Sequence, residues 1–368
     1  MNPLRSGYTT GSCATAAAKA ALQMLLTGHL CESVCITLPR GEPATFAVHD
    51  SRMTDGIARC AVLKDGGDDP DCTNGLMVYA DVTLRRRKKI TLEGGPGVGT
   101  VTKPGLQIPV GESAINRTPR AMIRRELENI LDEHECHKGA HVVISVPGGE
   151  DVAQKTFNPK LGITGGISII GTTGKVKPYS IPAIKKSLVL FLEQAKAHGY
   201  QLVVMVPGNI GERAAHRRYS LPAEQVAQMS NYVGYMIRQA AKRFDRALVL
   251  GHPGKLLKIL LDCYNTHSQK SVSALPLVKK LTRDQLWYNA AEEQILASPT
   301  VEGVVSSIPP EERLGFFSPI ASIIENKLKS YARTPIDAGV VLVDMESHCI
   351  GCGQQARAWE ENGCLRLR

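Results

Sequence analysis

Apolar and polar positions give the two halves of this chain different rhythms. Near the start, Ala14, Ala17, Ala18, Ala21, Leu22 and Leu25 recur at helical spacing, and Gly28 stands where such a helix would stop. The preceding Gly7-Tyr8-Thr9-Thr10-Gly11-Ser12-Cys13 segment supplies capping hydroxyls, which predicts Ser12 or Thr10 at the N-cap. Short apolar runs bounded by turn residues then predict strands at 33–38, 45–48, 57–63, 76–84 and 90–92. The last two flank Arg85-Arg86-Arg87-Lys88-Lys89, which reads as the solvated turn of a hairpin. A helix is predicted at 119–131, with proline in its first turn, and a strand at 141–146. Residues 161–174 form an apolar stretch punctuated by glycine.

After that stretch, helical and extended patterns alternate. Helices are predicted at 181–198, 222–242 and 254–264, with more helix to about 296, and strands at 201–206, 246–250 and 340–343. Alternation of this kind argues for a mostly parallel sheet. The expected architecture is an α+β N-terminal domain with glycine-rich loops at 1–178 and an α/β domain at 179–368. It is left open whether the late strand near 340–343 returns to the first domain.

Charge and cysteine usage narrow the partners. Against 35 Asp and Glu stand 44 Lys and Arg, a formal +9, which suits an anionic partner. The basic residues are scattered and lack interleaved aromatics, so nucleic acid is not favoured. The ten cysteines follow no framework, no signal-peptide pattern opens the chain, and no apolar run reaches transmembrane length. Together these predict a cytoplasmic protein that does not enter a membrane. The Cys349/Cys352 pair has no second pair to complete a zinc site, so no metal is expected.

Candidate chemistry lies in the polar turns. Thr9, Thr10, Gly11 and Ser12 open a helix, where free amides suit a carboxylate or phosphate; the plainer alternative is an ordinary cap, with Cys13 a small packing residue. Asp65, Asp68, Asp69 and Asp71 form an acidic turn, either solvated or able to accept a proton. The Glu93-Gly94-Gly95-Pro96-Gly97-Val98-Gly99 loop precedes a segment holding Pro104 and Pro109, which cannot be the helix of a dinucleotide motif. It reads instead as a flexible or ligand-approaching connection, with Lys103 placed to meet an anion. Two strand-end loops carry Pro207-Gly208-Asn209-Ile210-Gly211-Glu212 and Gly251-His252-Pro253-Gly254-Lys255, where open α/β sheets hold ligands. His252 and Lys255 add a titratable ring and a cation; Ser230, Asn231 and His267 add polar groups at helix ends.

Several blocks together resemble the CbiD family of cobalt-precorrin-5B C-1 methyltransferases. They are Gly7-Tyr8-Thr9-Thr10-Gly11-Ser12-Cys13-Ala14, Lys64-Asp65-Gly66-Gly67-Asp68-Asp69, Ala114-Ile115-Asn116-Arg117-Thr118-Pro119-Arg120, Gly165-Gly166-Ile167-Ser168-Ile169-Ile170-Gly171-Thr172-Thr173-Gly174, Ser230-Asn231-Tyr232-Val233-Gly234-Tyr235-Met236, Gly251-His252-Pro253-Gly254-Lys255-Leu256 and Thr266-His267-Ser268. The blocks run from about Arg5 to Ser268; beyond, 269–281 shows no counterpart of the family's acidic-basic stretch. The resemblance implies methyl transfer from S-adenosylmethionine to C-1 of a ring-contracted corrinoid bearing acetate and propionate side chains. Cobalt then enters only as part of the substrate. It further implies Asp68, Asp69 or Glu212 facing the sulfonium, and His252 or an aspartate of the turn as base. Thr9, Thr10, Gly11, Ser12, Lys103, Gly171, Thr172, Thr173, Asn209, Ser230, Asn231, Lys255 and His267 are the binding candidates. A corrinoid carrier without catalysis, or an enzyme of an adjacent ring-contraction or deacylation step, are the alternatives, and a homo-oligomer is left open.

Overall fold

In the computed structural model, which describes residues 4–368, the chain forms two units, one ending at Ile181 and the other spanning Pro182–Arg368. In the first unit, helix α1 (Thr10–Thr27) is buried along nearly its whole length. Its N-cap is Thr9, one residue before the predicted Thr10 and three before Ser12: the Thr9 hydroxyl accepts from the Ser12 amide at 3.2 Å, and Gly28 closes the helix in the left-handed conformation. The small alanines let α1 lie close to helix α2 (Arg117–Glu133) and to the sheet beneath. Between the two helices, Lys19 donates to Glu126 at 2.8 Å, while the other Glu126 oxygen accepts the Thr37 amide at 2.9 Å.

That unit contains the hairpin β1 (Ser33–Thr37) and β2 (Pro43–Ala47), then the sheet strands β3 (His49–Thr54), β4 (Ile57–Leu63), β5 (Met77–Arg85), β6 (Ile90–Gly94) and β7 (Gly139–Ser145). Their order in the sheet is β3-β4-β5-β7-β6. The predicted β5–β6 hairpin is therefore wrong. The basic segment steps over a gap one strand wide, and β7 fills it, antiparallel to β5 and parallel to β6. The apolar Gly139–Ser145 run needs neighbours on both edges, which a two-stranded hairpin cannot give. Strand β3 was missed because its polar sequence has no alternation; it is an exposed sheet edge.

In the second unit, helix α3 (Ile181–Ala197) leads to β8 (Leu202–Val206), α4 (Asn209–Arg218), β9 (Val226–Gln228), α5 (Val233–Ala240) and β10 (Arg246–Gly251). After four short helices and a 3-10 segment, the long helix α6 (Pro310–Ala332) precedes β11 (Asp337–Val343), β12 (Cys349–Cys352) and α7 (Gln354–Glu361). The sheet order is β9-β8-β10-β11-β12, parallel except for β12. The β11 strand pairs with β10, so it stays in this unit rather than returning to the first. The predicted helix at 222–242 is broken. Val226–Gln228 pairs with β8, and Ser230 takes φ 51 before α5 begins. Ladder bonds to β8 outweigh the local helical pattern. Likewise 254–264 is one α turn followed by a 3-10 segment.

Candidate functional site

The opening segment builds a closed junction. Thr9 N and Gly11 N donate to Gly174 O (3.1 Å) and Ile170 O (2.9 Å), and the Ser12 hydroxyl donates to Gly174 O at 2.7 Å. Thr10 Oγ1 accepts from Ile170 N at 2.9 Å. Gly171 is required here, because a Cβ would stand 2.1 Å from Thr9 Oγ1. The helix-start amides of Gly11 and Ser12 are thus taken by Ile170 O and Thr9 Oγ1, and the expected carboxylate site on Thr9, Thr10, Gly11 and Ser12 is not formed. Of the associated loop, Thr172 is exposed, and Gly171 and Thr173 are half-exposed.

The acidic turn is a staple. Asp68 accepts from Arg5 N at 2.6 Å, Asp69 from Tyr179 N at 2.8 Å, and Asp65 forms a two-bond pair with the Arg5 guanidinium. The bond from Arg5, with that from the Gly67 amide, lowers the Asp65 carboxyl to about 2. Lys64, fully buried, donates to Asp71 at 2.6 Å. These partners engage the carboxylates in holding the N-terminal segment, which argues against Asp68 and Asp69 as catalytic groups. The glycine loop is neither flexible nor open: Gly97–Val98 pairs in parallel with Gly166–Ile167, and a Cβ on Gly97 would stand 1.8 Å from Val146 O. Lys103 lays its stem over Gly162. Cys13 is buried, and burial pushes its thiol up to about 12, consistent with a packing role.

In the second unit, the ends of β8 and β10 carry the two predicted loops. Gly208 has no atom within 4 Å of where a Cβ would be, and α4 starts without a side-chain cap. Glu212, in its first turn, accepts from Gln228 at 2.8 Å. His252 caps the next helical turn: its Nδ1 accepts from Gly254 N at 3.0 Å, and its Nε2 faces Glu302 at 2.7 Å. Both ring nitrogens are engaged, the Nδ1 lone pair included, so the ring positions the loop and is no free base. Lys255 is half-buried, and among the described residues its ammonium has no hydrogen bond or ion pair; burial, with Lys258 beside it, lowers its pKa. Asn231 O accepts from Thr266 N at 2.9 Å, tying two distant segments together, and His267 Nδ1 accepts from Gln269 N at 3.2 Å within a local turn.

A cavity of about 420 Å³ lies on the second unit between α5, the Tyr264-Asn265 segment and the end of α6. Its cations are Lys185, Arg238, Lys242 and Arg333, its aromatics Tyr232, Tyr235, Tyr264 and Tyr331, and no carboxylate lines it. Tyr264 and Tyr331 stack at 3.5 Å and 15°, the Arg238 guanidinium lies 3.9 Å from the Tyr331 ring centre, and the Lys185 ammonium 4.9 Å from that of Tyr235. Gly234 underlies the stack, since a Cβ there would come within 2.6 Å of both Tyr264 and Tyr331. A second depression, between α6 and α7, has one cation, Arg357, and no aromatic.

Comparison with known proteins decides the family. The chain is 42% identical over 364 residues to the cobalt-precorrin-5B C(1)-methyltransferase of Alkaliphilus metalliredigens, covering 97% of this chain and 94% of that one. The chain belongs to the CbiD family. Residues 1–178 match the CbiD family itself, and 265–354 match the CbiD C-terminal domain. The methyltransferase of the same name from Syntrophotalea carbinolica is 39% identical over 98% of this chain and all of that one. A crystal structure of cobalamin biosynthesis protein (cbiD) from Archaeoglobus fulgidus aligns at 31% identity with a TM-score of 0.39, covering 72% of this chain and 82% of that chain. The CbiD match thus does not stop at Ser268, where the recognisable motifs end.

Sequence reasoning missed Lys185, Arg238, Lys242, Tyr264, Tyr331 and Arg333. One signal was available: Tyr232, Tyr235 and Arg238 follow each other at three-residue spacing within and after the Ser230–Met236 block of the CbiD family, which places them along one side of a helix. The Tyr331 and Arg333 contribution comes from about a hundred residues away, and no local pattern announces it. Among the described residues no helix is long and apolar enough to cross a membrane, and no group of three or more His, Cys, Asp or Glu side chains could hold a metal.

Proposed function

We propose that this protein is a cobalt-precorrin-5B C(1)-methyltransferase of cobalamin biosynthesis and that S-adenosylmethionine is its methyl donor. The observation that carries the reading is 42% identity along 94% of a relative bearing that name. The donor is a sulfonium cation with an amino-acid carboxylate and ribose hydroxyls. The cationic cavity suits it poorly, and the loops at the ends of β8 and β10 suit it better. There, the uncapped start of α4 suits the amino-acid carboxylate, Gly208 leaves room for close approach, and Glu212 supplies negative charge. Asn209 and Gly208 would hold the donor's amino-acid end, and Glu212 its ribose or sulfonium. When bound, the donor supplies an electrophilic methyl group.

The protein's part is positioning and proton handling. Holding the acceptor carbon in line with the departing sulfur removes much of the entropic barrier. A proton must leave the macrocycle after methylation, and Lys255 Nζ, at the end of β10 without a side-chain partner among the described residues and with its pKa lowered by burial and Lys258, is the candidate to take it. His252 holds this loop in place through Gly254 and Glu302. The test is incubation with S-adenosylmethionine labelled in its methyl group and cobalt-precorrin-5B. Label in the corrinoid is expected; tight corrinoid binding without label would instead identify a carrier.

A further inference from the structure

We infer that the tyrosine-lined basic cavity of the second unit is a clamp for the free carboxylates on one edge of the corrinoid. This rests on the methyltransferase reading and adds the position and chemistry of substrate recognition. Three observations converge. First, Lys185, Lys242 and Arg333 line one cavity with no carboxylate in its lining, and among the described residues none of the three forms an ion pair. Unpaired cations converging on a concavity are arranged for an external anion. Second, Arg333 sits at φ 65, a left-handed helix-end conformation that favours glycine. An arginine rather than glycine at this left-handed position adds a cation to the cavity lining. Third, Tyr264 stacks on Tyr331 and Arg238 lies over the Tyr331 ring, held by a 3.1 Å bond from its Nε to Tyr331 O, so one wall is aromatic with a fixed guanidinium beside it. A flat, methylated macrocycle rim can lie against such a wall while its acetates and propionates reach the cations. At about 420 Å³ the cavity takes side chains and one ring edge.

The experiment uses the full chain and absorbance titration with cobyrinic acid, whose side chains are free carboxylates, and with cobinamide, whose side chains are amidated. Cobyrinic acid is expected to bind at least about tenfold more tightly, and more weakly as salt rises. Lys242→Gln and Arg333→Gly should each weaken it about tenfold. Both should raise KM for the corrinoid and leave KM for S-adenosylmethionine unchanged. Arg333→Gly carries its own control, since relief of the left-handed strain predicts equal or higher thermal stability together with weaker binding. Equal affinity for the two corrinoids, or variants that bind like the wild type, would overturn the clamp even if methyl transfer proceeds. If the wild type transfers no methyl group but the variants lose cobyrinic acid binding, the clamp stands and the methyltransferase reading fails.

Discussion

Glu325 is a buried carboxylate that joins three elements, and its removal should unfold the second unit more readily than any surface change. It lies within α6 at 3% exposure. Its Oε1 accepts from Val340 N at 3.0 Å and from Ala356 N at 3.1 Å, and its Oε2 accepts from Gln355 N at 3.0 Å. Along the same helix, Ser318 accepts from Cys352 N and Ser322 from Gln354 N, so one face of α6 satisfies the amides where β12 passes into α7. Glu325→Ala leaves two buried amides, Val340 and Ala356, without an acceptor. At about 1–3 kcal/mol for each, the loss is about 4 kcal/mol, with the α7 dipole adding a smaller part. Glu325→Gln keeps one oxygen in place and should lose about 1.5 kcal/mol. For a unit of this size each kcal/mol moves Tm by about 2–4 °C, so the alanine variant should melt about 8–16 °C lower. Differential scanning calorimetry and urea titration of both variants measure this. A glutamine variant less stable than the alanine variant, or an alanine variant within about 1 kcal/mol of wild type, refutes the reasoning.

Four further outcomes follow from the same structure. Gly171→Ala places a methyl 2.1 Å from Thr9 Oγ1 at φ 145 and should destabilise the first unit by about 2 kcal/mol. Thr9→Ala alone should lose about 1 kcal/mol, and the double variant less than the sum in urea denaturation; strict additivity removes the contact from the account. Burial pushes the Asp71 carboxyl up, but bonds from Lys64 and Thr73 outweigh it, so the folded value lies below the unfolded one of about 3.9. Stability from this pair is therefore full above about pH 5 and lost as pH falls through the depressed folded value; Asp71→Asn should flatten the acid limb of urea midpoints, and an unchanged slope contradicts it. Lys255→Arg cannot release its proton at neutral pH and should lower kcat at least about 100-fold, while His252→Gln and Asp68→Asn stay within about threefold; the reverse pattern in label transfer restores the histidine or aspartate as base. Glu212→Gln should raise KM for S-adenosylmethionine about tenfold with corrinoid binding intact, and an unchanged KM moves the donor elsewhere.

Local pattern was enough for α1, where alanine spacing and Gly28 define a helix, and for β4 and β8, whose apolar runs are short and bounded by turns. It failed where pairing with a distant strand decides the conformation. Val226–Gln228 reads as helix because its apolar residues recur at helical spacing with those after it, yet β8 offers ladder bonds that the local segment cannot know of. Strand β7 between β5 and β6 is the same lesson in topology. For the site, the strand-end loops and Lys255 were visible as motifs, because glycine and charge mark them. The hydroxyls of Thr9, Thr10 and Ser12 were equally visible, but only the fold shows that Ile170 engages Thr10, Gly174 engages Ser12, and Thr9 caps Ser12.

The sequence by itself determined the family, through motifs whose order and spacing are recorded residue by residue, and it determined the broad class, because hydrophobic periodicity is a local property. Tertiary structure alone decided which polar groups are spent and which are free. Asp68 and His252 look reactive in one dimension and are partnered in three; Arg333 and Tyr331 look like an ordinary helix end and instead complete a basic cavity with Arg238. The physical reason is that a charged group acquires its role from what lies within a few ångströms of it, and for these residues that neighbourhood is assembled from segments far apart in the chain.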